Sequence, residues 1–169
     1  MSLSLYQASV PVFVQILGGL SGVLQKAEAH AADKKIDPNA LLQARLYPDM
    51  FPLTRQVQIA ADFAKGAAAR LAGVEVPAYE DTETSFADLQ ARIAKTLAFI
   101  HSVPVADIDA GSERSIVLRP GTPNEKTFLG NSYLLNYAFP NFFFHSTTAY
   151  DILRHNGVEI GKKDFVGKW

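Results

Sequence analysis

With 169 residues, 48% of them hydrophobic and 20% charged, the chain is long enough to bury a sizeable core and too apolar to stay disordered. A formal net charge of −1, with no basic cluster larger than Lys34-Lys35 or Lys162-Lys163, excludes the concentrated positive surface that nucleic-acid binding requires. The absence of cysteine removes disulfides, thiolate nucleophiles, iron–sulfur clusters and the common structural zinc sites together.

The apolar stretch from Val10 to Leu24 invites comparison with a signal peptide. No Lys or Arg precedes it, however, and Gln15, Ser21 and three glycines interrupt it. As a run of sequence it is also too short and too broken to span a bilayer. The expectation is a cytoplasmic protein that engages neither membrane nor nucleic acid.

From roughly Ser4 to Ala32, Val10, Phe13, Leu17, Leu20 and Leu24 recur at steps of three and four, the stripe of an amphipathic helix. Pro11 near its start suggests that the regular helix begins there, after a looser turn. Asp37-Pro38 reads as a cap followed by proline in the first turn, opening a short helix through Leu46. Pro48 and Pro52 introduce a second long helix that ends at Ala72, with Gly73 as its stop. Leu53, Val57, Ala60, Ala64, Ala68 and Leu71 share one side of it. Arg55, Gln58, Asp62 and Lys65 share the other, where a solvated row of ion pairs is expected. Val74 to Glu83 reads as a loop.

Thr84 or Ser85, each paired with Asp88, caps a third long helix from about Phe86 to Ser102, and Pro104 ends it. Its stripe is Phe86, Leu89, Ile93, Leu97 and Ile100. Two β-rich runs, Ser115–Leu118 and Lys126–Leu129, flank a Pro/Gly/Asn turn and predict a hairpin lying across the bundle as a flap. The last long helix starts at Asn131 or Pro140 and ends at His155, before Asn156-Gly157. Its Tyr133 to Phe144 portion is aromatic nearly all round, as in a helix buried on several sides. The tail returns Ile160, Phe165 and Trp169 and predicts an extended strap on the surface. No repeat is present, and the fold class expected is all-α: a four-helix bundle with a small hairpin before the last helix, in one domain over residues 1–169.

Three stretches carry a resemblance: MFPLTRQVQIAADFAKGAAARLAG from Met50, TSFADLQARIAKTLAFI from Thr84, and PNFFFHSTTAYDILRHNGVEIGKKDFVG from Pro140. Together they resemble an uncharacterised bacterial and fungal family labelled only a domain of unknown function, similar in fold to the DinB/YfiT-like bundles. Better-known members of that superfamily bind a divalent metal through three histidines, one on the second helix and an i, i+4 pair on the fourth. They include thiol-dependent transferases and isomerases. Here the second long helix has no histidine, His145 matches the first member of the pair, and Ala149 stands where the other would be. His155 lies ten residues beyond His145, about 15 Å along the helix axis and rotated away. Neither a metal nor another cofactor is expected.

On a continuous last helix His145 shares a face with Ala138, Phe142, Ala149 and Ile152, and Asn141 and Thr148 lie about one turn to either side. A buried imidazole needs partners for its nitrogens, and those two side chains are the expected ones. His145 then reads either as a satisfied core histidine that fixes helix register or as the polar anchor of a ligand pocket formed with Asn141, Phe142, Thr148 and Ala149. His30, His101 and His155 fall near helix ends, where a cation or donor meets the dipole favourably. The loop acids Glu80, Asp81, Glu83, Asp107 and Asp109 look like cap neighbours rather than general acids. No nucleophile elbow, Walker loop or dinucleotide turn is present, and Gly18, Gly19 and Gly22 suit close helix packing. The function expected is small-molecule binding or interaction, in a DinB-like domain without the three-histidine site. Two rivals remain: a metal- or thiol-cofactor-dependent transferase using His145, and a structural homodimer. No catalytic residue is assigned, and the expected partners are a small-molecule ligand and a second copy of the chain.

Overall fold

Local signals set most of the helix boundaries. In the computed structural model, which describes residues 3–168, α1 spans Leu5–Lys34, α2 Pro38–Leu42, α3 Leu53–Ala72, α4 Phe86–Ser102 and α5 Val105–Asp109. The strands β1 (Ser115–Leu118) and β2 (Lys126–Leu129) follow, then α6 (Gly130–Tyr133), a π-helical stretch (Leu134–Ala138), α7 (Phe139–His155) and α8 (Lys162–Val166). Ser85 and Asp88 exchange bonds in a capping box at the start of α4, and Gly73 takes the left-handed conformation (φ 72°) that stops α3. The four long helices α1, α3, α4 and α7 form the bundle. α3 packs on α7 and α4, and α1 closes the other side. Alanines 60, 64, 67 and 68 of α3 are buried, so their small side chains let α7 approach closely. Phe13 of α1 meets Phe142 of α7 edge-on at 4.9 Å in the middle of the core.

Several boundaries differ from the sequence reading, each for an identifiable reason. α1 starts at Leu5 rather than Pro11, because Ser4 and Gln7 form a capping box that nucleates the turns before the proline. It is 30 residues long and apolar enough to cross a membrane by length and hydropathy (1.4 over 18 residues), unlike the shorter stretch read from sequence; half of that window is buried in the bundle. α2 ends at Leu42 instead of continuing to Leu46, and Thr54 Oγ1 caps the Leu42 carbonyl at 3.1 Å. Residues Val105–Asp109 form an unforeseen helical turn, and Asp109 accepts the Tyr6 N–H of α1 at 2.7 Å. The tail is not wholly extended: Lys162–Val166 is helical, with Asp164 bonding back to the Gly161 N–H. Trp169 lies outside the described residues.

The last helix is continuous from Gly130, but its middle is widened. Pro140 has no N–H for the carbonyl one turn back, and its ring would crowd that carbonyl in a regular α-helix. The chain instead passes through the π turn, where Phe139 donates to Leu134 O. Tyr133 and Tyr137 are thereby brought side by side, their rings 6.0 Å apart.

The side of α3 read as solvated is largely covered. Gln58 and Lys65 are buried, because the loop through residues 74–85 folds over them. Arg92 of α4 lies beneath that loop with its side chain only 1% exposed. It contacts Asp62 (3.0 Å), Asp81 (3.0 Å) and Glu83 (2.9 Å). Lys65 completes the network on Asp62 at 2.9 Å. The loop acids Asp81 and Glu83 are therefore ion-pair partners rather than cap neighbours.

Gly18, Gly19 and Gly22 divide by role. A methyl group at Gly19 would meet the Phe165 carbonyl oxygen at 2.3 Å, so this glycine lets the tail lie on α1. Gly18 and Gly22 face open space.

Candidate functional site

His145 sits half-buried on α7, and its partner comes from the neighbouring helix rather than from its own. Gln56 of α3 donates its amide N–H to the Phe51 carbonyl at 3.0 Å, which fixes the amide orientation. Its oxygen then faces His145 Nδ1 at 2.7 Å and can only accept. The ring therefore carries its proton on Nδ1, and Nε2 keeps a lone pair. Burial, and secondarily the nearby Arg55 cation, hold this imidazole below the ordinary histidine range, in the neutral form.

The partners expected for His145 are engaged elsewhere. Asn141 Nδ2 donates to the Tyr137 carbonyl and the Thr148 hydroxyl to the Phe144 carbonyl, each at 2.7 Å along their own helix. Both side chains are short and one turn from a main-chain carbonyl, so the local bond wins over the longer reach. Phe142 and Ala149 are fully buried in the core. The structure thus joins His145 to Gln56, which is 89 positions away in sequence.

From His145 a row of rings leads to the hairpin. Phe63 of α3 stacks near-parallel to the imidazole (14°, 6.1 Å), Tyr137 of the π stretch lies 5.8 Å from Phe63, and Phe128 of β2 lies 5.4 Å from Tyr137. Beside this row is a cleft of about 210 Å³ lined by Asp62, Phe63, Arg70, Leu118, Arg119 and Tyr137. Its walls come from α3, the end of β1 and the π stretch, so the hairpin forms one side of it. Arg70 donates to the Tyr133 hydroxyl at 3.2 Å, and burial raises the phenol pKa of that tyrosine. Arg119 stands at the strand end with a left-handed backbone (φ 53°) whose carbonyl accepts from Thr122. None of these lining residues was singled out as a site from sequence. One signal was available: Gly66, a mid-helix glycine one turn before Arg70, which costs helix stability unless something needs the space.

A model described as a domain of unknown function (DUF1993) matches residues 5–166. The chain belongs to that family. A solved structure described as a DinB family member protein from Shewanella denitrificans superposes with a TM-score of 0.91 at 43% identity, covering 98% of this chain and 93% of that one. The DUF1993 domain thus has the DinB-like fold expected from its sequence. None of the curated proteins matches the chain.

The metal centre of better-known DinB-like bundles can be tested against the donors present. His145 offers one nitrogen, its other position is committed to Gln56, and buried Ala149 stands one turn further along. The carboxylate nearest the cleft, Asp62, is held by Lys65 and Arg92. Among the described residues no three His, Cys, Asp or Glu side chains converge. The residues do not fit a three-histidine metal site.

Proposed function

We propose that this DUF1993 domain binds a small organic molecule in the cleft between α3, the hairpin and the π stretch. The observation that carries this reading is the cleft itself: apolar and aromatic walls from Phe63, Leu118 and Tyr137, with a few polar groups, and the hairpin as one side. Its volume of about 210 Å³ is small, so the ligand is a compact one. A π-helical turn at such a wall agrees with the frequent use of these turns at functional sites.

The test is a thermal-shift screen of metabolite-sized compounds on the wild type and on Tyr137→Ala, with hits mapped by amide chemical shifts. A ligand at a hundredfold excess over its Kd stabilises the native state by about 2.7 kcal/mol. Hits that perturb residues 118–119 and 137 and vanish in Tyr137→Ala support the reading. Hits that map elsewhere and survive the substitution refute it.

A second reading, in which His145 acts as a base, is favoured by the fixed Nδ1–H tautomer that leaves Nε2 free. Activity on a ligand whose binding perturbs the His145 ring, abolished by His145→Gln without a change in affinity, would establish it.

A further inference from the structure

We infer that the cleft ligand is a monoanion, a small carboxylate carried on a flat unsaturated or aromatic body. The inference rests on the cleft being a binding site and adds the chemistry of its occupant. Among the described residues, neither Arg70 nor Arg119 forms an ion pair, although both line the same cleft. The carboxylate that shares the lining, Asp62, is already matched by Lys65 at 2.9 Å and Arg92 at 3.0 Å. A third cation, Lys126 of β2, stands 5.9 Å from the Tyr137 ring centroid on the hairpin side. Two arginines without acidic partners therefore line a space whose single acid is neutralised, and an ammonium stands nearby. A planar fork matches the geometry of a carboxylate in two parallel bonds.

Arg70 is also built into position. Its guanidinium folds back over the helix, so that a methyl group on Gly66 would come within 2.3 Å of Nη1. The Tyr133 hydroxyl, itself buried, accepts from that same nitrogen at 3.2 Å. Gly66 thus makes the space that the guanidinium occupies, despite the cost of a glycine in a helix interior. The flat body follows from the walls. Phe63 and Tyr137 both line the cleft, their rings 5.8 Å apart by centroid and tilted 59° to each other, and aromatic walls favour a flat partner. The apolar and aromatic walls reward an organic body, which inorganic phosphate lacks, so a small organic carboxylate suits the cleft better.

The experiment titrates benzoate, nicotinate and furan-2-carboxylate against their matching amides, with inorganic phosphate as a further probe, by calorimetry and amide shifts. The acids are expected to bind at the cleft roughly tenfold to a hundredfold more tightly than the amides, the loss from one charge-assisted bond. Arg119→Gln on the exposed hairpin and Gly66→Ala on α3 should each shrink that acid-to-amide ratio. Gly66→Ala should do so with little net change in melting temperature, because the helix propensity gained by alanine offsets part of the lost Arg70–Tyr133 bond. A purely structural role for Gly66 or Arg70 would leave the ratio unchanged. Amides binding as tightly as acids, or phosphate outcompeting every acid, would overturn the carboxylate assignment while leaving small-molecule binding intact. If neither these probes nor any compound of a broad library perturbs the cleft, the binding reading falls as well.

Discussion

Replacing Arg92 with methionine tests how far the buried ion network holds the loop through residues 74–85 to the bundle. Three carboxylates share this guanidinium, but they do not count equally. Asp62 and Asp81 have side chains 37% and 41% exposed, and each keeps another cation, Lys65 or Arg55. Their contribution is therefore discounted to the level of surface pairs, about 0.5 kcal/mol each. Glu83 is only 11% exposed and would keep a single amide donor, Gln58 at 2.8 Å. Losing a charge-assisted bond to a buried carboxylate costs about 1.5–3 kcal/mol. The Glu80 carbonyl would lose its donor from Nη1 as well, at about 1 kcal/mol. Against these losses, Arg92 Nε is buried without a partner, and its removal returns about 1 kcal/mol. The expected net cost is about 2.5–4 kcal/mol, measured by urea unfolding. Hydrogen exchange should show residues 79–84 opening below the global free energy. A variant as stable as the wild type would refute the argument, because the network would then only break even against an apolar side chain of similar size.

Three further outcomes are expected. Gly19→Ala should destabilise by about 1–3 kcal/mol despite the gain in helix propensity, because its methyl group strikes the Phe165 backbone, whereas Gly18→Ala, facing open space, should stabilise by up to about 1 kcal/mol; paired thermal melts decide both. The lowered pKa of His145 means that below about pH 6.5 the unfolded chain takes up a proton which the native imidazole resists, so stability falls with pH in that window. His145→Gln should flatten this part of the profile in urea titrations from pH 5 to 8, and an unchanged slope would place the proton uptake elsewhere. Protein purified without chelator should carry well under one equivalent of nickel, zinc or iron by elemental analysis, since the donors around His145 do not converge; stoichiometric metal lost in His145→Ala would contradict that.

What could be read without coordinates follows from interactions short in sequence. The Ser85–Asp88 capping box, the Gly73 stop and the β-rich runs about Pro120-Gly121 each lie within a few residues of the structure they specify. The heptad-like stripes likewise name which face of each long helix is buried, since Val10, Phe13, Leu17, Leu20 and Leu24 are all core residues. The site is different, because its parts are distant in sequence and meet only after packing. Asn141 and Thr148 looked like partners for His145 by helical spacing, yet each is satisfied by a carbonyl one turn back, and Gln56 was selected by the side-by-side docking of α3 and α7. Gln58 and Lys65 looked solvated on a helical wheel, which cannot show the loop that later covers them. Arg70 and Arg119 became neighbours of one cleft only because α3, the end of β1 and the π stretch come together in the fold. Periodicity fixes the direction of a side chain relative to its own helix axis; which partner occupies that direction depends on how the helices pack.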